Sequence, residues 1–198
     1  MIIAAFDFDG TLTTKDSLID FLIFSFGKKS FYRSLIKLSP TLALYKMGLI
    51  TNEHAKQKLF MYFFGGMQAK KYYDLCNNYS SKIDNIINRE ALNKLIMHQQ
   101  QNANVIIISA SAEDWIKPWA TKHNISRVLA TKVEIINDKL TGKFITKNCY
   151  GDEKVNRLLE VYPYKEKYTL YAYGDSEGDK PLLTFADFGY YRNFTTHM

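Results

Sequence analysis

The sequence predicts an α/β protein: a doubly wound parallel sheet, interrupted early by an all-helical insertion, with one small β-hairpin. Three observations carry this. Short, near-continuous apolar runs end on charged, hydroxyl or glycine residues. Stretches with apolar residues at helical spacing alternate with those runs. Residues 15–88 repeat apolar positions at threes and fours and contain no convincing strand. Apolar runs of this kind suit parallel strands covered on both faces. Strand and helix in alternation suit a doubly wound sheet.

In chain order, residues 2–6 (Ile-Ile-Ala-Ala-Phe) read as a buried strand that ends at Asp7. In the next segment Leu18, Phe21 and Leu22, then Leu35, Ile36 and Leu42, then Leu59, Phe60 and Phe63 mark helical faces. Breaks at Gly27, Ser39-Pro40, Gly48 and Gly65-Gly66 divide it into four or five helices. Thr51-Asn52-Glu53 suits a helix start, and residues 13–16 offer another. Residues 89–101, with Leu92, Leu95 and Ile96, predict a helix. Residues 105–109 (Val-Ile-Ile-Ile-Ser) predict a second strand, and 112–123, with Trp115, Ile116 and Trp119, a helix. Residues 133–136 and 140–145 around Asn137-Asp138 predict a hairpin that decorates the core. A helix over 153–162 and a strand over 168–173, ending at Gly174-Asp175, complete the reading. The predicted division is a core of 1–14 and 89–198 with a helical cap of 15–88.

A chain of 198 residues, 46% hydrophobic and 15% aromatic, suits one domain with a modest insertion and argues against disorder. Cys76 and Cys149 are too few for a disulfide framework and lack metal-ligand spacing. They read as reduced thiols of a cytoplasmic protein. Residues 2–6 have no basic flank and are cut short by Asp7, unlike a signal peptide. The most apolar stretch, 18–26, is broken by Asp20 and Ser25, and nothing approaches the roughly 18 apolar residues of a membrane span. His54, His98, His123 and His197 show no pairing and read as ordinary structural or surface residues.

Net charge is +6. Residues 15–84 carry eleven Lys/Arg against five Asp/Glu and so hold the whole excess, since the remainder carries fifteen of each. A basic surface attracts phosphorylated substrates, anionic lipid or nucleic acid, and the same charges also suit a solvated helical face. No base-stacking or groove-reading module is recognisable, so a nucleic-acid partner is not expected.

In an open α/β sheet, ligands bind outside the carboxyl ends of the strands. Asp7 and Asp9, Ser109, and Asp175 and Asp179 all follow predicted strands and would meet at that rim. Alone, Asp7-Phe8-Asp9-Gly10-Thr11 also suits a turn. A calcium loop would add further acidic ligands and close on a Glu, whereas Leu12-Thr13-Thr14-Lys15 follows. Alone, Ser109 also suits a helix cap and Lys154 a surface helix position.

Taken together and in order, Asp7-x-Asp9-Gly10-Thr11, Ser109, Lys154 and Gly174-Asp175-Ser176-x-x-Asp179 resemble the haloacid dehalogenase superfamily. The likeness is to its phosphatase branch (subfamily IB), with a Rossmann-like core and a helical cap of the C1 type after the first strand. It spans nearly the whole chain. The resemblance implies that Asp7 attacks phosphorus and forms an aspartyl-phosphate, dividing hydrolysis into two easier steps. Asp9 would act as general acid and base at the leaving oxygen. Asp7, the Asp9 backbone carbonyl and Asp175 would hold Mg²⁺, with Asp179 supporting. A carboxylate meeting a phosphate dianion needs such a cation. Ser109 and Lys154 would bind the phosphoryl oxygens, and the backbone around Gly10 and Thr11 would form an anion nest. A dehalogenase needs neither Asp9 nor Asp175, and a catalytically idle binding protein needs none of Asp7, Asp9 and Asp175.

Two substrate readings follow from resemblance. Like phosphoserine phosphatase, the chain has an acid, Asp16, shortly after the first motif. It departs at Gly10, at Ala110-Ser111 and at Gly178. Like bacterial phosphatidylglycerophosphatase, it has a basic, aromatic segment over 16–66 and Asp179-Lys180-Pro181-Leu182-Leu183. Such a segment can lie peripherally on an anionic membrane, and its apolar residues equally suit the cap's own core. The specificity candidates are Asp16, Lys56 and Lys58.

Overall fold

β1 (Ile2–Phe6) is the central strand of a five-stranded sheet. The structure, a computed structural model, describes residues 1–194. β1 is flanked by β2 (Asn104–Ala112) and β6 (Thr169–Gly174), with β3 (Arg127–Thr131) and β7 (Phe188–Tyr191) at the edges, and every pairing is parallel. The order β3-β2-β1-β6-β7 means that the chain leaves β1 toward one edge and later returns to its other side. Ligand-binding crevices open at such a switch point, beyond the carboxyl ends of the strands.

Alternate residues of β1 face opposite layers. Ile3 and Ala5 pack with Ile106, Ile108, Leu170 and Ala172 against Leu158 of α8 (Asp152–Val161) and Leu182 of α9 (Lys180–Phe185). Ala4 and Phe6 face Leu95 of α6 (Arg89–Gln100) and Trp119 of α7 (Glu113–Lys122). Burial on both faces is why β1 reads as an unbroken apolar run.

Among the described residues, 17–83 fold into five helices: α1 (Ser17–Phe26), α2 (Lys28–Lys37), α3 (Ser39–Lys46), α4 (Asn52–Phe64) and α5 (Ala69–Ile83). Both anticipated starts are capped. Asp16 accepts from the Ile19 amide at 3.0 Å and Thr51 from the His54 amide at 3.2 Å. The segments leading in and out run side by side. The Thr14 amide donates to the Ile86 carbonyl at 2.7 Å, and the Asn88 amide to the Leu12 carbonyl at 2.8 Å. Phe21, Phe64, Tyr72 and Tyr79 form an aromatic cluster that meets α7 through Trp115, whose ring lies 5.0 Å from Phe21.

The hairpin forms as expected, from β4 (Val133–Ile136) and β5 (Lys139–Phe144). Asn137 and Asp138 both have positive φ, as a tight hairpin turn requires. It does not merely decorate the core. The Leu140 amide donates to the Met67 carbonyl at 2.9 Å, and the Gly66 amide donates back to Leu140 at 2.7 Å. The Ala69 amide reaches the Asp138 carbonyl at 2.8 Å, and Phe144 packs on Phe60 of α4. The hairpin is thus a second attachment of the helical insertion. Gly142 permits it: at φ 84, a Cβ there would stand 2.6 Å from the Met61 Cα.

β2 runs three residues past Ser109 through an irregular register, Ser109 opposite Ala130 and then Ala112 opposite Thr131. β3, β7 and α9 were not anticipated. The edge strands are short and partly exposed, so they lack an apolar run. Cys76 and Cys149 are unpaired and buried. Among the described residues no helix is long and apolar enough to cross a membrane. His197 lies outside the described residues.

Candidate active site

The chain leaves β1 at Asp7, whose amide still donates to the Tyr173 carbonyl of β6 at 2.9 Å. It then folds into a tight loop, closed where the Thr13 amide and hydroxyl donate to the Phe8 carbonyl at 2.8 and 3.0 Å. Gly10 turns this loop at φ 79, and a Cβ there would collide with the Asp175 carboxylate. Two strand ends can approach this closely only over a glycine.

Lys154, in the first turn of α8, is 2% exposed. Its ammonium donates to Asp7 Oδ1 at 2.5 Å and also to Asp179 Oδ1. The other oxygen of Asp179 accepts from the Ser176 amide at 2.9 Å, the Ser176 hydroxyl at 2.6 Å and the Asp175 amide at 3.2 Å. Asp175 accepts from the Thr11 hydroxyl at 3.3 Å. Asp7, Asp175 and Asp179 each offer a carboxylate oxygen, and these lie within 4.8 Å of one another.

Three carboxylates lie around one ammonium that bonds two of them, and their acidities diverge. Burial pushes Asp7 up to about 7, helped by the negative charges of Asp179 and Asp9 and opposed by Lys154. For Asp179 burial acts upward too, but the charge of Lys154 and its hydrogen bond prevail and hold it low. Burial and Asp179 raise Asp175. Burial opposes the charge of Lys154, yet Asp7 and Asp179 outweigh it and keep the ammonium protonated.

Asp9 points into a different network. Its Oδ1 accepts from the Ser17 amide, at the start of α1, at 2.7 Å. Its Oδ2 accepts from the Ser111 hydroxyl. The Ser17 hydroxyl donates to Ser111 Oγ at 3.3 Å and accepts from Trp115 Nε1 at 3.0 Å. The irregular end of β2 makes this reach available, because the Ser111 amide folds back onto Ser109 Oγ at 3.1 Å. Ser109 is fully buried and does not cap α7, whose cap residue is Ala112.

Asp7, Asp9, Gly10, Thr11, Ser109, Lys154, Asp175 and Asp179 therefore gather at the rim. Thr11 arrives with its hydroxyl turned to Asp175. Asp16 is close by: partial desolvation and the negative charge of Asp9 raise its pKa, and Lys56 opposes them. Lys58 is exposed on α4. Two residues from Lys56, it projects from another side of the helix. Lys15, Asp16, Ile19, Asp20, Ile23 and Lys28 line a depression of about 410 Å³. Sequence reasoning missed Ser17, Ser111 and Trp115, and it quoted Ser176 within the last motif without giving it a role. Ser111 had one signal, a second hydroxyl two residues beyond Ser109.

The sequence signature of the haloacid dehalogenase-like hydrolase family matches residues 4–184, from β1 through most of α9. Protein CicA of Caulobacter vibrioides is 28% identical over 194 residues, 98% of this chain and 86% of CicA. A probable phosphatase of Mycobacterium tuberculosis is 32% identical over 97 residues, 48% of this chain and 33% of that protein. Among solved structures, a Bordetella pertussis protein of unknown function superimposes with TM-score 0.79 at 19% identity, covering 92% of this chain and 85% of that one. A phosphoserine phosphatase in its apo form gives 0.62 at 14% identity, covering 93% and 82%. These two structures are alike in fold. With its parallel five-stranded sheet and the signature match over most of its length, the chain belongs to the haloacid dehalogenase-like hydrolase family.

Proposed function

We propose that the chain is a Mg²⁺-dependent phosphomonoester phosphatase that works through an aspartyl-phosphate on Asp7. The observation that carries this is the buried Lys154 ammonium held between Asp7 and Asp179, with Asp175 alongside. A divalent cation fits the donor set. The ligand atoms are all oxygen, which suits a hard ion. One ammonium among three carboxylates leaves negative charge uncompensated, and that charge adds to the burial that drives Asp7 up to about 7. Asp7, the Asp9 carbonyl and Asp175 would hold the ion, with Asp179 supporting Asp175 and Lys154. Bound there, Mg²⁺ would neutralise the phosphoryl oxygens and screen them from the nucleophile.

The residues then divide the work. Asp7 forms its Oδ–P bond as the bond to the leaving oxygen breaks, and a proton from Asp9 goes to that oxygen. Asp9 next takes a proton from water as the water attacks phosphorus, releasing phosphate and restoring Asp7. Ser111 suits this exchange because a hydroxyl both donates and accepts, so it can follow Asp9 through either protonation state. Ser17 holds the other oxygen and ties Asp9 to the first helix of the insertion. Lys154 and Ser109 would bind the transferred group, with the Gly10–Thr11 backbone as a nest.

Residues 1–14 and 89–198 would form the catalytic core and 15–88 the cap. The substrate would be a small phosphate ester whose leaving group meets Asp16 and Lys56. The depression with Ile19, Ile23, Lys15 and Lys28 supports a leaving group of mixed apolar and charged character. Hydrolysis of an aryl phosphate should require Mg²⁺ and vanish in Asp7→Asn. Full activity in chelator, or in that variant, refutes the reading.

A further inference from the structure

From residue 28 to 52 the chain has five basic residues, Lys28, Lys29, Arg33, Lys37 and Lys46, and not one Asp or Glu. This stretch folds into α2, α3 and the turn after them, and it stays largely unpacked. α2 buries only Phe31 and Ser34, and α3 buries nothing. What it exposes is apolar: Ile36 is 74% exposed, Met47 69%, Leu49 64% and Tyr32 60%. On α2, Tyr32 and Ile36 are four apart and lie on one face, interleaved with Lys29 and Arg33. Met47 and Leu49 flank Gly48, where a Cβ would meet nothing within 4 Å, so that turn stands clear of the fold.

We propose that the α2–α3 surface of the insertion docks the protein on an anionic lipid surface. Large exposed apolar side chains set among cations, on a stretch that carries no acid of its own, are what interfacial binding requires. The apolar tips enter the acyl boundary and the lysines meet the headgroup charge. The charge pattern decides between occupants. A second copy binding through the same face would set five cations against five, and like charges repel. Nucleic acid would satisfy the cations but leave Ile36, Met47 and Leu49 unburied. An anionic membrane uses both halves of the pattern. Lys28 also lines the depression beside Asp16, so docking would set that depression at the edge of the lipid-facing surface. The proposal stands independently of the reaction at Asp7.

Co-sedimentation with vesicles tests it, comparing pure phosphatidylcholine with vesicles containing a large fraction of phosphatidylglycerol. The protein should pellet with the anionic vesicles and not the neutral ones. Raising salt from about 0.05 to about 0.5 M should cut the bound fraction roughly tenfold, because screening shortens the reach of surface charge. Ile36→Asp with Met47→Asp should abolish binding. Lys29→Glu with Arg33→Glu should abolish it by the charge route. Both pairs should keep their activity on a soluble aryl phosphate and their unfolding midpoint, since neither touches the core or the site. No binding to anionic vesicles at low salt overturns the proposal, as does equal binding to neutral ones. Retention of binding in both variants overturns it. So does a dimer in solution that the Asp pair converts to monomer.

Discussion

Replacing Lys154 by Met should destabilise the metal-free protein by about 3–5 kcal/mol, the usual cost of leaving buried charges without their partner. The geometry explains why the whole cost applies. The ammonium is 2% exposed and donates to Asp7 at 2.5 Å and to Asp179 as well. Met keeps the apolar stem, so the core stays filled and only the charge is lost. Lys154 and Asp179 are almost wholly buried, so water is a poor substitute for the ammonium there. Against a total stability of roughly 5–15 kcal/mol, that loss is a large fraction. Urea unfolding in chelator measures the loss. Lys122→Met is the control, since the Lys122 ammonium makes one hydrogen bond, at 2.7 Å to Ser80, from an exposed position. It should change stability by less than about 1 kcal/mol. Added Mg²⁺ should narrow the Lys154→Met deficit, because the extra uncompensated charge makes the variant bind the cation more tightly than the parent. A loss below about 1 kcal/mol in chelator would show that the Asp7–Lys154–Asp179 group does not organise this rim.

Ser111→Ala removes one charge-assisted hydrogen bond to the half-exposed Asp9, where water partly substitutes. It should lower kcat by roughly tenfold with little change in stability, and Ser111→Thr should recover most of the loss. An unchanged kcat would separate Ser111 from the reaction. Gly142→Ala places a Cβ at positive φ and against the Met61 backbone, so it should cost about 1–3 kcal/mol. An unchanged Tm would show that the hairpin is not a true attachment of the insertion. Burial, aided by the charge of Lys94, lowers His98 from 6.5 to about 4. The unfolded chain therefore binds more protons between those values. Stability should be full above about pH 6.5 and fall toward pH 4, by up to about 3 kcal/mol. His98→Gln, which can still bond the Tyr173 hydroxyl, should flatten that slope, and an equally steep slope would contradict the assignment.

The three central strands were legible because both their faces are buried, which forces unbroken apolar runs. The edge strands were not. β7 reads Phe-Gly-Tyr-Tyr, half open to solvent, and carries no periodic signal. The hairpin turn announced itself in Asn137-Asp138, but its attachment to residues 66–69 is made by backbone groups, which every sequence possesses. The acids and Lys154 were legible as a spaced set, and the fold brings them together. Ser17 and Trp115 were not, since Ser17 meets Asp9 only where the start of α1 folds back on the loop after β1, and Trp115 of α7 reaches that network only through Ser17. The basic, aromatic segment at 16–66 reads from sequence as either cap core or interface, and its α1 and α4 do bury Phe21, Leu22, Phe60 and Phe64. Most of α2 and all of α3 remain unburied, which removes much of the first option for those two helices.

The central claim is the covalent role of Asp7, and trapping the intermediate tests it most directly. An aryl phosphate turnover is quenched in acid, reduced with borohydride and mapped by peptide mass spectrometry. An acyl phosphate on Asp7 should be reduced to homoserine at position 7, in the presence of Mg²⁺ and not in chelator. Rapid turnover with position 7 left as aspartate, or with the phosphoryl group on a serine or histidine instead, would contradict the account.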